Sequence, residues 1–339
     1  MRSYLFFFLC LTACTSPRDD ATESSSSSDL TTSVLASNAA ALAVGPNGEL
    51  RLTGSDTKVS IVDPATGALT PAATPNPLFP GYTHGEPIGW DATHFYFYAQ
   101  ISDDFYGGRR IYRAALDPAA KPEALADVGN GENAPDPLAT AIGDGGAVYW
   151  TTYPNTCSLG SSDSCWQMVL GRASADGAAQ RAKPALADGT YVGLGPLSFY
   201  DGDLYAANST GVFKVPGGDV TKPVESVCTF PSTFKTKLTN STILAGTSRA
   251  TFAASAKGFL VPLQSPDYAS ALGLVRWDCS TQTLTPFGAP AQGEARTFGL
   301  TQIADIVVRG NDVFWLNRQA YSSANEYADS YYALEKTSL

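Results

Sequence analysis

The chain has very little histidine. It has two in 339 residues, His84 and His94, on either side of one predicted strand, so we expect them at opposite faces of the fold. Zinc centres and general-base catalysis depend most often on histidine. The chain also lacks a Gly-x-Ser-x-Gly nucleophile elbow and a phosphate-binding glycine loop. No catalytic residue, metal site or cofactor is therefore predicted, with a calcium ion held by loop oxygens as the open alternative.

Positive charge is also scarce. The chain carries 22 Lys and Arg against 32 Asp and Glu, a formal net charge of -10. A negative field of this kind repels phosphate backbones, so nucleic acid is not an expected partner. The sequence has no basic amphipathic segment that would adsorb to an anionic membrane surface.

Long apolar runs are missing as well. The run from Tyr4 to Leu11, behind Arg2, falls well short of the roughly 20 apolar residues that a membrane-spanning helix needs. A short apolar run behind a basic residue at the amino terminus is typical of a secretory signal peptide. The sequence therefore predicts export rather than a transmembrane anchor.

The end of this run, Leu11-Thr12-Ala13-Cys14, resembles the lipobox of bacterial lipoproteins. The resemblance implies a signal peptide at 1–13, cleavage before Cys14, and lipid on the Cys14 thiol as the only membrane contact. Residues 14–29 include a serine-rich stretch and would form a flexible tether. By the same resemblance, Thr15 in place of an aspartate implies the outer membrane, with the periplasmic or surface-facing side left open. The alternative is an ordinary signal peptide with an incidental cysteine.

A short apolar strand recurs along the rest of the chain at intervals of about 55 residues. Its copies are Phe95-Tyr96-Phe97, Val148-Tyr149-Trp150, Leu204-Tyr205-Ala206, Phe259-Leu260-Val261 and Val313-Phe314-Trp315, with a weaker one at Leu50-Arg51-Leu52. Glycine-containing hairpin signals precede several of these strands, and no amphipathic helix is evident. This pattern is typical of propeller blades. We predict an all-β protein, a six-bladed β-propeller of four-stranded antiparallel blades, in one domain over 30–339.

The last repeat unit is one strand short. It ends with a strand at 331–336, whereas the segment 30–36 precedes the first unit and has no partner within it. Because an unpaired edge favours aggregation, we predict that 30–36 becomes the outer strand of the last blade and closes the ring. In the third unit we expect the fourth strand at 182–187. The tetrapeptide Val148-Tyr149-Trp150-Thr151 resembles YWTD-type and TolB-like six-bladed propellers, a resemblance of fold alone.

Four cysteines remain after Cys14, an even number that suggests disulfides in an exported protein. Cys157 and Cys165 bracket one loop, so a local bridge is the natural pairing. Cys228 and Cys279 then pair by elimination and would join the fourth unit to the fifth. We expect both bridges to be structural.

The longer loops are expected on one face of the propeller disc, where second strands lead to third strands and blades lead to blades. These loops are aromatic and acidic, and loops on a rigid scaffold often carry binding sites. Tyrosine and tryptophan suit both protein contacts and stacking on sugars, although any one ring could simply pack its loop onto a blade. The candidate binding residues are Glu86, His84, Glu132, Tyr106, Tyr153, Trp166, Tyr268, Tyr321 and Tyr327.

Glu86 differs from its counterparts in the other units. The aligned residues are alanine or glycine, as expected where six inner strands converge. Glu86 would hold a cation, a water or a ligand hydroxyl at the channel mouth, with His84 at the rim. The alternative is a solvated glutamate without a role in a water-filled channel.

These observations favour a non-catalytic lipoprotein of the cell envelope, whose propeller binds a protein partner or an envelope polysaccharide. The alternative is an envelope enzyme of the glycan lyase, glycan hydrolase or lactonase type. Its carboxylate- or calcium-based site would lie at the central channel, where Glu86 and Glu132 on neighbouring loops are the candidate carboxylates.

Overall fold

A computed structural model describes most of the predicted propeller. The residues described are 33–45, 47–54, 58–72, 86–100, 108–117, 119–129, 137–153, 167–208, 210–230, 252–264, 271–288, 303–319 and 331–338. Within these ranges the helices are single 3-10 turns, Asp144–Gly146 and Pro216–Gly218. No helix among the described residues is long and apolar enough to cross a membrane.

The strands fall into six consecutive groups. Blade one contains β1 (Ser33–Val44), β2 (Leu50–Gly54), β3 (Val59–Val62) and β4 (Leu69–Pro71). Blade two contains β5 (Glu86–Trp90), β6 (His94–Gln100), β7 (Arg109–Ala115) and β8 (Glu123–Asp127). Blade three contains β9 (Ala139–Ile142), β10 (Val148–Thr152), β11 (Val169–Ser174) and β12 (Gly177–Ala182).

The second half of the chain repeats this arrangement. Blade four contains β13 (Leu197–Tyr200), β14 (Asp203–Asn208), β15 (Gly211–Val215) and β16 (Glu225–Thr229). Blade five contains β17 (Ala253–Ser255), β18 (Gly258–Gln264), β19 (Ala271–Asp278) and β20 (Thr283–Gly288). Blade six contains β21 (Ile303–Arg309), β22 (Asp312–Gln319) and β23 (Tyr331–Ser338), and takes its fourth strand from β1.

Each blade is an antiparallel sheet, and the blades form a closed ring. The first strands contact one another in the cyclic order β1, β5, β9, β13, β17, β21 and back to β1. They are therefore the innermost strands of a six-bladed β-propeller, as predicted.

The ring is closed by β1, which belongs to two blades at once. Its first half pairs with β23, with Val34 opposite Glu335, and its second half pairs with β2, with Leu42 opposite Leu52. Register shifts between Val34 and Ala41 bend the strand from one blade into the next. The amide of Leu42 also donates to Asp305 Oδ2 of β21, at 2.9 Å. The prediction that an amino-terminal strand completes the last blade is confirmed.

The recurring apolar strand explains the packing between blades. A blade in the ring is covered on both faces, so its inner strands are apolar at both alternating positions. In β6, Phe95, Tyr96, Phe97 and Tyr98 are all buried. The core clusters found among the described residues each join two consecutive blades, including one between blade six and blade one. Hydrophobic burial therefore holds the blades together around the whole ring.

A disulfide reinforces one of these contacts. Cys228 in β16 and Cys279, directly after β19, are bonded, with their Cα atoms 5.5 Å apart. The predicted bridge between blade four and blade five is confirmed. The predicted Cys157–Cys165 bridge lies outside the described residues.

The position predicted for one strand was wrong. The fourth strand of blade three is β12, Gly177–Ala182, and not 182–187. Ala175 and Asp176 form a tight two-residue turn, with Ser174 opposite Gly177, so β12 begins at Gly177 and Leu170 pairs with Ala182. The segment after Ala182 leaves the sheet, because Pro184 has no amide proton to donate to a ladder.

Candidate ligand-binding groove

The antiparallel blades place their connections on two faces of the disc. We call the side where β10 ends, β11 begins and β12 ends the loop-rich face, because second-to-third and blade-to-blade connections emerge there. The opposite side, with the turns at 143–147 and 201–202, is the hairpin face.

Most of the binding residues predicted from the sequence lie outside the described residues. These are His84, Tyr106, Glu132, Trp166, Tyr268, Tyr321 and Tyr327, together with the lipidation candidate Cys14. Glu86 pairs with Tyr98 at the loop-rich end of β5. The side chain of Glu86 is not among those described. Tyr153 is described and lines a groove.

This groove opens on the loop-rich face between blade two and blade three and has a volume of about 480 Å³. One wall is the chain that follows β8, and the other is formed by the ends of β10, β11 and β12. The residues that line it are Val128, Gly129, Thr152, Tyr153, Val169, Ala179, Arg181, Ala182 and Lys183. Its volume falls within the roughly 300–1,000 Å³ that is typical of small-molecule sites.

The groove forms where the gap between two blades widens and small side chains leave it open. Side chains alternate along a strand, so Ala179 and Arg181 share one face of β12, and Lys183 follows directly after the strand ends at Ala182. Closer to the axis, the fully buried indole of Trp150 fills the gap and donates its Nε1 proton to the carbonyl of Val128 at 2.9 Å. The groove therefore begins on the outer side of the Trp150 indole, away from the axis.

A glycine makes room for this indole. Gly171 lies opposite Trp150 in the ladder, and a Cβ at Gly171 would overlap the indole, with Trp150 Cδ2 at 2.7 Å. Only a residue without a side chain allows the ring to lie flat against β11. Gly171 thus fixes the inner end of the groove through Trp150.

Arg181 forms a bridge across the gap between the two blades. Its guanidinium donates to the backbone carbonyl of Asp127 at the end of β8. The Asp127 carboxylate in turn accepts from Arg110 Nε at 2.6 Å, which pairs its charge within blade two. Burial lowers the pKa of Arg181, and the nearby Asp127 opposes this shift. A guanidinium remains charged at neutral pH, so the groove keeps a fixed positive charge.

Lys183 places a second positive charge at the mouth of the groove. The residue is exposed, and its Nζ donates to Gln167 Oε1 at 3.1 Å. A surface contact of this kind contributes little to stability and is readily exchanged for another partner. Lys183 is therefore suited to meet a ligand rather than to hold the fold together.

Tyr191 stabilises the side of the groove that carries the tyrosine ring. Its phenolic oxygen accepts from the amide of Met168 at 2.6 Å, which holds the chain entering β11. Burial raises the pKa of Tyr191, the Met168 amide opposes the shift, and the neighbouring Tyr153 adds to it. Tyr153 is half-buried, so its ring is partly available to a ligand.

The described histidine belongs to a turn on the hairpin face. Asp91 accepts from the amides of Thr93 and His94, and from the Tyr96 hydroxyl at 2.5 Å. His94 Nδ1 lies 2.7 Å from Thr93 Oγ1. These contacts close the hairpin between β5 and β6, on the opposite side of the disc from the groove. Among the described residues, no group of three His, Cys, Asp or Glu side chains is placed to hold a metal.

Sequence reasoning identified Tyr153 but missed Arg181 and Lys183. The signal was a basic residue near the end of the fourth strand, with the small Ala179 two positions before it and Lys183 directly after the strand. Because that strand was expected at 182–187, Arg181 fell before it, and its place on the face of blade three that meets blade two could not be recognised.

Comparisons with known proteins assign the chain to no family. No protein-family model matches the chain, and no curated protein sequence matches it. One similar solved structure is a proposed oxidoreductase (glucose dehydrogenase) from Thermus thermophilus, with 12% identity and a TM-score of 0.48, covering 91% of this chain and 99% of that one.

Two further solved structures are more distant. A gluconolactonase from Xanthomonas campestris has 18% identity and a TM-score of 0.33, covering 53% of this chain and 59% of that one. A glycosyl hydrolase from Bacteroides ovatus has 10% identity and a TM-score of 0.35, covering 71% of this chain and 80% of that one. These low values assign neither a family nor an activity to the chain.

Proposed function

We propose that this protein is a non-catalytic lipoprotein of the bacterial cell envelope whose propeller binds an envelope polysaccharide or a partner protein on its loop-rich face. The observation that carries the proposal is the groove between blade two and blade three. It combines one phenol, two cations and an aliphatic wall within a volume suited to a ligand.

The construction of the groove supports binding by preorganised side chains. Arg181 is held by the Asp127 carbonyl, and Tyr153 lies beside a tyrosine that is itself fixed to a backbone amide. Residues that are already ordered lose little conformational freedom when a ligand arrives, so more of the contact energy appears as affinity. The rigid ring of blades supplies this order.

The amino terminus supports the envelope location. A lipid on Cys14 would anchor the chain, and the tether 14–29 would let the disc move over roughly 20 Å, the root-mean-square length of a flexible linker of that size. Labelling of growing cells with a palmitate analogue should mark the wild-type protein and not a Cys14→Ser variant. Equal labelling of both would contradict lipidation at this position.

Co-purification with a face-specific block tests the binding face. A Lys183→Cys variant carrying a polyethylene glycol maleimide should lose the envelope material that the wild-type protein recovers from detergent extracts. A matched Lys222→Cys variant, labelled on the hairpin face, should recover it normally. Lys222 is a suitable control because it is exposed, with a single ion pair to Asp219 at 3.5 Å. Equal recovery by both labelled variants would contradict the assignment of the face.

The enzymatic alternative stays a prediction from the sequence. It depends on Glu86 and Glu132, and neither side chain is among those described. Turnover of cell-wall glycans by the purified protein, lost in a Glu86→Gln variant, would establish it. The predicted likeness to TolB-like and YWTD-type propellers stays a prediction, and a calcium ion held by loop oxygens stays an open alternative.

A further inference from the structure

The groove differs in charge from the protein that surrounds it. The chain has a net charge of -10, yet the ionisable side chains among the groove's lining residues are Arg181, Lys183 and Tyr153. The Asp127 carboxylate beside it is already paired with Arg110. A local positive site within a negative field attracts anions whose shape fits the groove.

The walls of the groove present side chains rather than backbone hydrogen-bonding groups. Val169 is paired with Thr152, and Arg181 with Gly171, so the ladders between β10, β11 and β12 are complete at this level, and the edge of β12 without a partner strand in its sheet is the outer one, away from β11. An extended peptide binds best by adding a strand to an open sheet edge. A sugar, in contrast, is bound through its ring faces and its substituents, which is what these walls offer.

We propose that this groove binds a carboxylate-bearing sugar unit of an acidic polysaccharide. The inference rests on the proposed function and specifies its ligand. Lys183 at the mouth pairs with the sugar carboxylate, Arg181 supplies a fixed positive charge at the inner end, and Tyr153 packs against the sugar ring. The aliphatic wall of Val128, Val169 and the alanines contacts the apolar face of the next unit.

The division of labour between the two cations follows from their contacts. Arg181 is committed to the Asp127 carbonyl and contributes through its charge, whereas the exposed Lys183 can reorient its ammonium group toward a ligand. The affinity should therefore depend on the charge at position 183 more than on the exact shape of that side chain. Added salt should weaken binding, because the mouth of the groove is open to solvent.

Isothermal titration of the purified protein with defined oligosaccharides tests this proposal. The acidic probes are oligogalacturonate, oligomannuronate and hyaluronan fragments, and the neutral probe for each is its methyl-esterified form. At least one acidic probe should bind, and its neutral counterpart should bind at least about tenfold more weakly. Lys183→Ala should weaken binding about tenfold, Lys183→Arg should retain it, and the hairpin-face control Lys222→Ala should not change it.

A second variant separates loss of binding from loss of folding. Tyr153→Leu keeps an apolar side chain but removes the ring, so it should weaken binding while the melting temperature stays close to that of the wild-type protein. Poly-glutamate is the probe for an acidic peptide. If it binds as tightly as the best acidic sugar and with the same dependence on Tyr153, the ligand is a peptide and the proposal is wrong.

Two other results would also overturn it. Equal affinity for esterified and acidic sugars would remove the charge requirement while leaving the proposed binding face intact. Absence of binding by every acidic probe would refute the ligand class, whereas the face-blocking experiment would still decide the proposed function independently.

Discussion

Replacing Gly171 with alanine should destabilise the protein by about 2–4 kcal/mol, because the new methyl group would overlap the indole of Trp150. Overpacking of a well-packed core costs about 1–3 kcal/mol. Trp150 is fully buried and donates to the Val128 carbonyl at 2.9 Å, so displacing the ring also weakens a buried hydrogen bond worth about 1 kcal/mol. The two contributions give the expected range.

Urea denaturation followed by tryptophan fluorescence measures this effect, with the melting temperature as a second readout. The expected loss corresponds to a fall of at least about 4 °C for a domain of this size. Gly193→Ala is the matched control. A Cβ at Gly193 would meet Tyr191 Oη at 3.7 Å, an ordinary contact, and its φ is outside the left-handed region. The control should be neutral, or stabilising by a few tenths of a kcal/mol through the unfolded chain. Equal stability of both variants would refute the packing assigned to Trp150.

Three further predictions concern the ring and its turns. Reduction of the Cys228–Cys279 disulfide, whose cysteines are 51 residues apart, should lower the free energy of unfolding by about 2–4 kcal/mol. Reductant should therefore lower the melting temperature of the wild-type protein and leave that of a double serine variant unchanged. Asp305→Ala should lower the free energy of unfolding by about 2 kcal/mol, because it removes an acceptor of the Leu42 amide and leaves alanine at a φ of 45°. Asp305→Asn keeps an acceptor and tolerates that backbone, so it should lose less stability. Equal losses in the two variants would contradict this role of Asp305. Burial opposes ionisation of Asp91, but the hydrogen bonds to its carboxylate outweigh burial and hold its pKa below the usual 3.8. These hydrogen bonds therefore stabilise the fold above pH 3.8, and their contribution is lost as the pH falls below that value. A free energy of unfolding that stays constant from about pH 5 to pH 2 would contradict this assignment.

The architecture was predictable because a propeller repeats one local pattern. The aromatic strands recur at near-constant spacing, and each occupies the second position of its blade, as Phe95 and Val148 show. Closure by the first strand followed from counting strands and from the cost of an open edge. The sequence did not show that β1 would run without a break from blade six into blade one. That continuity depends on bulges between Val34 and Ala41, which have no signal of their own.

The groove was much harder to predict. Tyr153 stood out because aromatic residues next to long loops are conspicuous, but a basic residue such as Arg181 gains meaning only from its neighbours. The register that turns Arg181 toward blade two depends on a two-residue turn at Ala175 and Asp176, and an error of five residues in that strand removed the pattern. The space itself depends on Gly171 and Ala179, whose small size is informative only once the facing blade is known.

Site-specific photo-crosslinking in living cells tests the binding face most directly. A photoreactive benzophenone residue replaces Lys183 at the groove or Lys222 on the hairpin face, and adducts are detected as mass shifts after irradiation. The account predicts adducts to an envelope component from position 183 and not from position 222. Adducts from position 222 alone, or equal adducts from both positions, would contradict it.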